Sequence, residues 1–388
     1  MSQNSYLEQA KQLLLTARGK SLSTDERKRL AIELAAQMLN ESAQRETVLE
    51  QKQLNEISGM VEDPVGKIFM MNLTDQCFRS QNSWRVADQL SFLIHRYGVP
   101  QYLSLFKRAQ LIVFKSVGRF FAPFLVNLVK RLLHKECSRF ILPGEEKGLT
   151  RAILKRQEQG VRVNLNHLGE AILGEEEALH RLNIYLKDLA RPEVEYISVK
   201  VSTIYSQIQL VAWEESLKVL SERLKLLLKT AHEHYFIKKV GARVPKFVNL
   251  DMEEYRDLDL TVDLFKRVLN DPAFFHYSAG IVLQSYLPDS YLVQQDLTVW
   301  AMQRLIKGGA PIKIRLVKGA NLAMEQVDAS LHGWPQAPYL TKKEVDANYK
   351  RMVNYGLVKE HAQAAHIGIA SHNLFDIAYG LLLRAENG

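Results

Sequence analysis

Residues 312–321, IKIRLVKGAN, carry the pattern from which the fold can be predicted. Apolar and polar residues alternate along this stretch, which is typical of a strand that buries one face. Arg315 and Lys318 lie at the exit of the predicted strand, next to a glycine. Because a buried cation is costly unless it is paired, their position indicates a partly enclosed site for an anionic or polar ligand.

Five further strand-like runs occur in the second half of the chain, with helical segments between them. The runs are 161–169 (VRVNLNHLG), 196–202 (YISVKVS), 246–253 (KFVNLDME), 279–286 (AGIVLQSY) and 366–373 (HIGIASHN). Spacings of about 30 to 55 residues favour parallel βαβ units. Apolar strand bodies with polar C-terminal ends predict an α/β fold, a (β/α)8 barrel of the TIM type with its ligand site at the carboxyl ends of the strands.

The barrel prediction has one alternative and one limit. A doubly wound open sheet usually carries a Gly-rich turn after its first strand, and the stretch NLNHLGEAILG contains no GxGxxG motif. Six strands do not close an eight-stranded barrel, so we expect an incomplete barrel of about six βα units. We therefore expect the chain to be the N-terminal piece of a longer protein.

The chain before the barrel is predicted to be helical. We expect an all-α arm at 1–62, an α-helical domain at 63–150 and the truncated barrel at 151–388. The apolar stripe of the arm suits packing on another subunit as well as packing on its own chain. The segment 117–135 predicts a basic, aromatic-rich amphipathic helix, which suits a protein core with a solvated basic face or, less favoured, a membrane surface.

Composition narrows the class of protein. The chain has 388 residues, of which 47% are hydrophobic, and a net charge of +8. No apolar run reaches the length of a membrane span and the N-terminus has no secretory pattern, so we expect a cytoplasmic protein. Cys77 and Cys137 give neither a disulfide framework nor metal-ligand spacing. The positive charge suits a phosphate-bearing cofactor, whereas no nucleic-acid-binding motif is present and we expect no nucleic-acid partner.

Successive predicted strands deliver polar residues to one rim of the barrel. In chain order they are Lys200, Asp251, Gln284, Tyr286, Arg315, Lys318, His372 and Asn373. Each alone fits an ordinary surface or ion-pair role, but their shared position predicts one site. Asp251 is the one clearly acidic member, so the mouth suits a carboxylate or phosphate group. Metal-ligand spacing and a GxSxG nucleophile motif are both missing from the sequence, which favours an organic cofactor and no metal.

Seven ordered motifs resemble a known family. They are VNLNHLGEA, YISVKVS, VNLDMEEYRDL, AGIVLQSYLPDS, IRLVKGAN, YLTKKEVDANYKRM and ASHN. In order and interval they resemble the proline dehydrogenase barrel of the bacterial bifunctional proline utilization A flavoenzymes. The resemblance implies non-covalent FAD and oxidation of L-proline to Δ1-pyrroline-5-carboxylate, the first step of proline catabolism to glutamate. It also implies electron transfer to a membrane quinone such as ubiquinone, peripheral contact with the inner face of the plasma membrane, and an aldehyde dehydrogenase domain beyond residue 388.

The resemblance implies roles for individual residues. The implied catalytic residues are Lys200, Asp251, Arg315 and Glu170. The implied cofactor-binding residues are Gln284, Tyr286, Arg315, Val317, Lys318, Gly319, Thr341, Lys342, His372 and Asn373. Arg315 would lie near flavin N5, Lys200 would pair with the proline carboxylate, and Glu170 would be a gate carboxylate. Thr341 and Lys342 would hold the pyrophosphate and adenine end of the cofactor.

The chain departs from the family pattern at two places. Asn321 stands where many relatives carry Tyr, and the last barrel helix with its Tyr and Arg pair has no counterpart in this sequence. The family's N-terminal ribbon-helix-helix domain is also missing, so we expect no repressor function. Two other functions stay open: a non-catalytic helical scaffold or dimerization piece, and an aldolase-type barrel with Lys200 as a Schiff base. A homo-oligomer is compatible with the sequence.

Overall fold

The computed structural model describes residues 5–137, 142, 144–167, 172–238 and 241–388. The chain divides into two compact units. One unit comprises Met1–Glu41 together with Ile153–Gly388, and the other comprises Ser42–Ala152. The predicted domain boundaries at 62 and 150 stay a prediction.

The helices follow one another along the chain with few long connections. The first eight are α1 Tyr6–Ala17, α2 Thr24–Arg45, α3 Val48–Glu62, α4 Pro64–Asn72, α5 Ser83–Tyr97, α6 Leu105–Val117, α7 Ala122–Cys137 and α8 Glu146–Glu158. The remaining nine are α9 Glu175–Ala190, α10 Val201–Ile204, α11 Trp213–Glu233, α12 Leu258–Leu269, α13 Ser290–Ile306, α14 Leu322–His332, α15 Lys342–Gly356, α16 Lys359–Ala364 and α17 Leu374–Asn387.

Six parallel strands form the main sheet, as the sequence predicts. In chain order, the strands of the described residues are β1 Asn164–Asn166, β2 Tyr196–Lys200, β3 Tyr235–Ile237, β4 Arg243–Pro245, β5 Phe247–Asp251, β6 Gly280–Gln284, β7 Ile312–Val317 and β8 Ala365–Ile369. Strands β3 and β4 lie outside the main sheet. The main sheet runs β1-β2-β5-β6-β7-β8, and every neighbouring pair is parallel. This order confirms the prediction of an α/β fold with an incomplete TIM-type barrel. Strands β3 and β4 form a short antiparallel hairpin that the sequence analysis did not predict.

Alternation along β7 gives the sheet its two faces. Ile312, Ile314 and Leu316 are fully buried, while the residues between them are half-buried and face the other way. The ammonium of Lys313 lies 5.3 Å from the ring centre of Tyr196 on β2. Three strand spacings of a flat sheet would separate β7 from β2 by about 14 Å. The sheet is therefore strongly curved, and its inner face encloses the space towards which the cations of β7 project.

The N-terminal helices α1 and α2 pack on the last helix of the same unit, α17. Ala17, Leu34 and Leu382 are buried together in this cluster. Arg27 donates to Glu386 at 2.6 Å beside it. Both interpretations of the arm were open from the sequence, and in this structure helices α1 and α2 pack on their own chain.

The unit Ser42–Ala152 has a core of its own. Phe69, Leu90 and Phe114 are buried at its centre, and α7 contributes Val126 to the same cluster. The opposite side of α7 is exposed, with Phe124 at 72% relative exposure. The helix thus has both a core face and an exposed aromatic face. Within the described residues, no helix is long and apolar enough to cross a membrane.

Candidate functional site

A cleft of about 670 Å³ lies at the carboxyl ends of the main-sheet strands. Its lining includes Asn166, Lys200, Asp251, Glu253, Val282, Gln284, Arg315, Val317, Lys318, Gly319, Asn321, Ile369, Ser371 and His372. Strand pairing explains why these residues meet: Lys200 is in register with Asp251, and Gln284 with Val317. The cleft brings together eight predicted site residues. They are Lys200, Asp251, Gln284, Arg315, Val317, Lys318, Gly319 and His372.

Lys200 is held by a carboxylate that the sequence analysis did not single out. Its ammonium lies 2.5 Å from Glu253 Oε1, and both side chains are mostly buried. The hydroxyl of Ser202 donates to the same carboxylate. Because the amine is ion-paired, Lys200 presents a positively charged group to the cleft. A Schiff-base lysine requires a desolvated, neutral amine, and Glu253 opposes that state.

Lys318 is paired still more completely. Its ammonium lies 2.5 Å from Asp346 and 2.9 Å from Asp376. Burial opposes the charge on Lys318, but hydrogen bonds to the two carboxylates outweigh it and raise the pKa of the ammonium. Asp376 also accepts from Lys350 at 3.2 Å and from Ser371 at 3.0 Å. This network ties the end of β7 to the start of α17.

The positive charge predicted for the mouth is partly compensated at Lys200 and Lys318. Both cations are compensated by carboxylates of the same unit. Burying a charge is tolerable when it is paired, so the stability of the fold does not depend on a ligand at either of these two cations.

Arg315 is the loosely held cation of the cleft. Its guanidinium lies 3.9 Å from Asp251 Oδ1, which is too long for a hydrogen bond. Asp251 accepts a hydrogen bond from Asn166 at 2.9 Å. Burial raises the pKa of Asp251, while the charge of Arg315 and the bond from Asn166 oppose that rise. The guanidinium of Arg315 is thus available to an acceptor in the cleft.

Two amide side chains at the cleft donate hydrogen bonds to the same backbone carbonyl. Gln284 is buried, and its amide donates to the backbone carbonyl of Glu253 at 3.0 Å. Asn321 donates to the same carbonyl at 2.9 Å. At the position where an aromatic residue was expected, Asn321 therefore supports the segment after β5.

The backbone conformation and the packing at position 319 both require glycine, and the sequence alone could not show this. Its φ is +124°, and a Cβ atom added there would lie 2.3 Å from the ring of Tyr286. Such a distance is incompatible with ordinary packing. Tyr286 itself is buried beside Gly319 and does not line the cleft. Its predicted contact with a cofactor is not supported by its position.

Three other predicted residues lie outside the cleft lining. Thr341 is the N-cap of α15, where its hydroxyl accepts from the backbone of Glu344. Lys342 is strongly exposed and lies 3.8 Å from Asp346. Asn373 is the N-cap of α17. Helix capping accounts for Thr341 and Asn373, while Glu170 lies outside the described residues.

Sequence reasoning found Asp251 but missed three other carboxylates and one amide of the site. Asn166 ends β1, so the rule used for the other strands would have found it. Glu253 follows Asp251 by two residues in LDMEE. Asp346 lies in the second turn of α15 and Asp376 in the first turn of α17, and no local pattern marks them as partners of Lys318.

Fold and cleft together define an α/β protein of the TIM-barrel type with a ligand site at the carboxyl ends of its strands. Among the described residues, no group of three or more His, Cys, Asp or Glu side chains could hold a metal ion. The sequence model of the family described as proline dehydrogenase matches residues 149–388. The chain therefore belongs to the proline dehydrogenase family, and it carries the proline dehydrogenase domain of a proline utilization A, as its motifs suggested.

Solved structures agree with this assignment. Proline utilization A from Corynebacterium freiburgense is 44% identical over 67% of this chain and 26% of its own length, with a TM-score of 0.61. The protein from Bdellovibrio bacteriovorus, inactivated by N-propargylglycine, is 25% identical over 94% of this chain and 36% of its own, with a TM-score of 0.67. A Bradyrhizobium japonicum variant, 19% identical over 98% and 40%, shares the fold with a TM-score of 0.58. The chain thus spans well under half the length of these proteins.

Proposed function

We propose that this chain supplies the proline-oxidising part of a flavoenzyme that converts L-proline to Δ1-pyrroline-5-carboxylate. The observation that carries the proposal is the family match over residues 149–388, which includes every strand of the curved sheet. The cleft adds support, since it collects at one rim the cations and amides that the resemblance implies.

The cleft fits the ring system of FAD by the chemistry of its lining. Val282, Val317 and Ile369 provide apolar surface for a flat aromatic ring. Arg315 provides donors for the nitrogen and oxygen acceptors at the polar edge of the flavin. When bound, FAD would accept a hydride from the carbon next to the amine nitrogen of the substrate.

The chain's own residues would bind and orient the substrate. Lys200, fixed by Glu253, would offer its charge to the proline carboxylate. Arg315 would hold positive charge beside the flavin, with Asp251 behind it. A carboxylate fixed in this way sets the orientation of the proline ring, which is the main benefit of a cation at this position. The roles of Gln284, Lys318, Gly319 and His372 at the cofactor remain predictions.

The experiment uses the protein expressed from its natural reading frame and loaded with FAD. Addition of L-proline without oxygen should bleach the flavin absorbance, whereas D-proline serves as the matched control and should leave it unchanged. A flavin that stays oxidised with L-proline would reject the dehydrogenase function. Labelling of Lys200 by borohydride in the presence of a carbonyl substrate would instead favour the aldolase-type alternative.

We also propose that electrons pass from the flavin to a membrane quinone such as ubiquinone. The support is indirect: Phe120, Phe121 and Phe124 are exposed in the basic segment 117–135, which suits the inner face of a plasma membrane. Proline-dependent reduction of a water-soluble ubiquinone analogue by the purified protein would test the acceptor. A cytoplasmic location, a homo-oligomer and a linked aldehyde dehydrogenase domain belong to the same proposal, and size measurement and the length of the reading frame test the last two.

A further inference from the structure

A second concavity lies beside the cleft, between the segments that follow β2 and β5 and the helix α14. Two adjoining cavities, of about 350 and 510 Å³, share Arg256, Asp328 and Trp334 in their lining. We call the two cavities together the Trp334 groove. None of these three residues lines the cleft described above, so the proposed flavin and proline site does not account for the groove.

Asp257 is the unusual residue of the Trp334 groove. It lines the smaller cavity, and only 5% of its surface is exposed. Among the described residues, no group donates a hydrogen bond to its carboxylate, and it does not cap α12 through its side chain. The guanidinium of Arg256 lies 3.9 Å away, and it is already paired with Glu254 at 2.6 Å. Burial raises the pKa of Asp257 to about 6, so the carboxylate is still mostly charged at neutral pH.

A largely buried carboxylate whose nearest cation is 3.9 Å away is weakly compensated. Water still reaches part of the Asp257 carboxylate, but a largely buried charge without a close donor remains unfavourable, and a cation bound beside it would stabilise it. The neighbouring ion pairs of the unit, such as Lys318 with Asp376, show that this chain otherwise compensates its buried charges.

The charges around Asp257 indicate whether a ligand of the groove would be a cation or an anion. Glu254, Glu325 and Asp328 also line the groove, and among its described lining residues Arg256 is the one permanent cation. The groove therefore carries an excess of negative charge, which excludes an anion. Because the described residues contain no cluster suited to a metal ion, the charge alone does not favour a metal.

Trp334 indicates what kind of cation fits. Its ring stacks on His332, with centres 4.3 Å apart and planes 16° from parallel. The side chain is nevertheless 60% exposed, so aromatic surface remains open to the groove. Organic cations bind to the face of a Trp ring through the ring's quadrupole, whereas small hydrated metal ions prefer several oxygen ligands.

We propose that the Trp334 groove binds a small organic ammonium ion, with the charged nitrogen at the carboxylate of Asp257 and the apolar substituents against Trp334. The ligand supplies the positive charge that Asp257 lacks. The aromatic ring covers the apolar part of the ligand, and the acidic rim of Glu325 and Asp328 excludes anions.

The test titrates tetramethylammonium chloride into the full chain labelled with ¹⁵N, with sodium chloride at equal ionic strength as the reference. The indole N–H resonance of Trp334, assigned by its loss in Trp334→Phe, should shift and reach saturation with tetramethylammonium alone. Asp257→Asn should weaken the affinity about tenfold, which corresponds to about 1.4 kcal/mol. Asp259→Asn is the matched control, since Asp259 is exposed in the first turn of the same helix; it should change the affinity less than about twofold.

Three results would overturn the proposal. One is a shift that grows linearly without saturation or that sodium chloride reproduces. A second is an affinity of Asp257→Asn equal to that of the unchanged protein. The third covers the case in which Asp257→Asn does not fold: Trp334→Leu removes an exposed ring, and unchanged heat of tetramethylammonium binding in that variant would show that the groove is not the site.

Discussion

The cleft and the Trp334 groove differ in how closely their buried charged groups are paired with groups of opposite charge. In the cleft, Lys200 and Lys318 each lie 2.5 Å from a carboxylate. In the groove, the carboxylate of Asp257 is more deeply buried than these two lysines, yet the guanidinium of Arg256 is 3.9 Å away. Arg315 is the exception within the cleft, because its separation from Asp251 is also 3.9 Å. The comparison teaches that a tightly paired charge stabilises the fold, even where it also faces a proposed ligand as Lys200 does, while a loosely paired charge indicates by itself that a ligand is expected.

The largest effect is expected from breaking the tightest network of the cleft. Asp376→Asn removes a fully buried carboxylate and leaves Lys318 and Lys350 facing each other. The free energy of unfolding should fall by about 3 to 5 kcal/mol at pH 7, measured by urea denaturation. Asp346→Asn is the control, because Asp346 is about one-third exposed and should cost about 1 kcal/mol or less.

The pH dependence of this effect has a definite sign. Burial alone would raise the pKa of Asp376, but hydrogen bonds from Lys318, Ser371 and Lys350 hold it below its ordinary value of 3.8. Stability from this group is therefore present above about pH 4 and is lost as the pH falls through the lowered pKa. The difference between the unchanged protein and Asp376→Asn should shrink in acid. Equal costs for Asp376→Asn and Asp346→Asn at pH 7 would contradict the assignment.

The loosely held cation of the cleft should affect chemistry more than stability. Arg315→Met in the FAD-loaded protein should slow anaerobic flavin reduction by L-proline about 100-fold, equivalent to about 3 kcal/mol, because it removes fixed positive charge beside the flavin. Lys313→Met is the matched control on the same face of β7, since Lys313 does not line the cleft. Its reduction rate should stay within about threefold. An unchanged rate in Arg315→Met would remove Arg315 from the proposed site.

Substitution of one glycine at the cleft and one at the groove compares the stability cost of adding a side chain at each place. Gly319→Ala combines a strained φ of +124° with overlap on the Tyr286 ring, so we expect a loss of about 2 to 3 kcal/mol in the free energy of unfolding. Gly333, directly before Trp334, has a φ of +66° and open space around it. Gly333→Ala should cost only about 1 kcal/mol. Thermal and urea unfolding of both variants measure the difference, and equal costs would show that Tyr286 can move aside.

The strands and their polar ends were predictable because both are local patterns. Alternation in IKIRLVKGAN gives the faces of β7, and parallel order brings Lys200, Asp251 and Arg315 to one rim. The charge balance of the rim was not predictable in the same way. Asp376 meets Lys318 only after the chain has passed through α14, α15, α16 and β8, and no spacing rule encodes that contact.

Two other features could not be predicted from the sequence, for related reasons. The hairpin of β3 and β4 has strands of three residues each, which is too short for a periodic pattern to reveal. Asp257 reads as an ordinary acidic residue at the start of a helix, where such residues are common. Its burial without a hydrogen-bond donor emerges only when α12 packs into the unit.

The smallest expected effect concerns Asp257, and it sharpens the comparison most directly. Burial holds the pKa of Asp257 near 6, above its ordinary value of 3.8, so the folded protein binds a proton more tightly than the unfolded chain does. Stability should therefore decrease as the pH rises from about 4 to 6 and stay at the lower level above that. Asp257→Asn removes this penalty but leaves a buried amide, so we expect a net gain of about 1 to 2 kcal/mol at pH 7 and little gain at pH 4.

Urea denaturation across this pH range, with Asp259→Asn in parallel, measures the penalty. Asp259 is exposed and should show no comparable pH-dependent gain. Saturating tetramethylammonium should reduce the advantage of Asp257→Asn at pH 7, because a ligand that binds only the folded protein stabilises the unchanged chain more than the variant. A loss of stability in Asp257→Asn at pH 7 would mean that the carboxylate is satisfied within the fold, and the contrast between groove and cleft would then disappear.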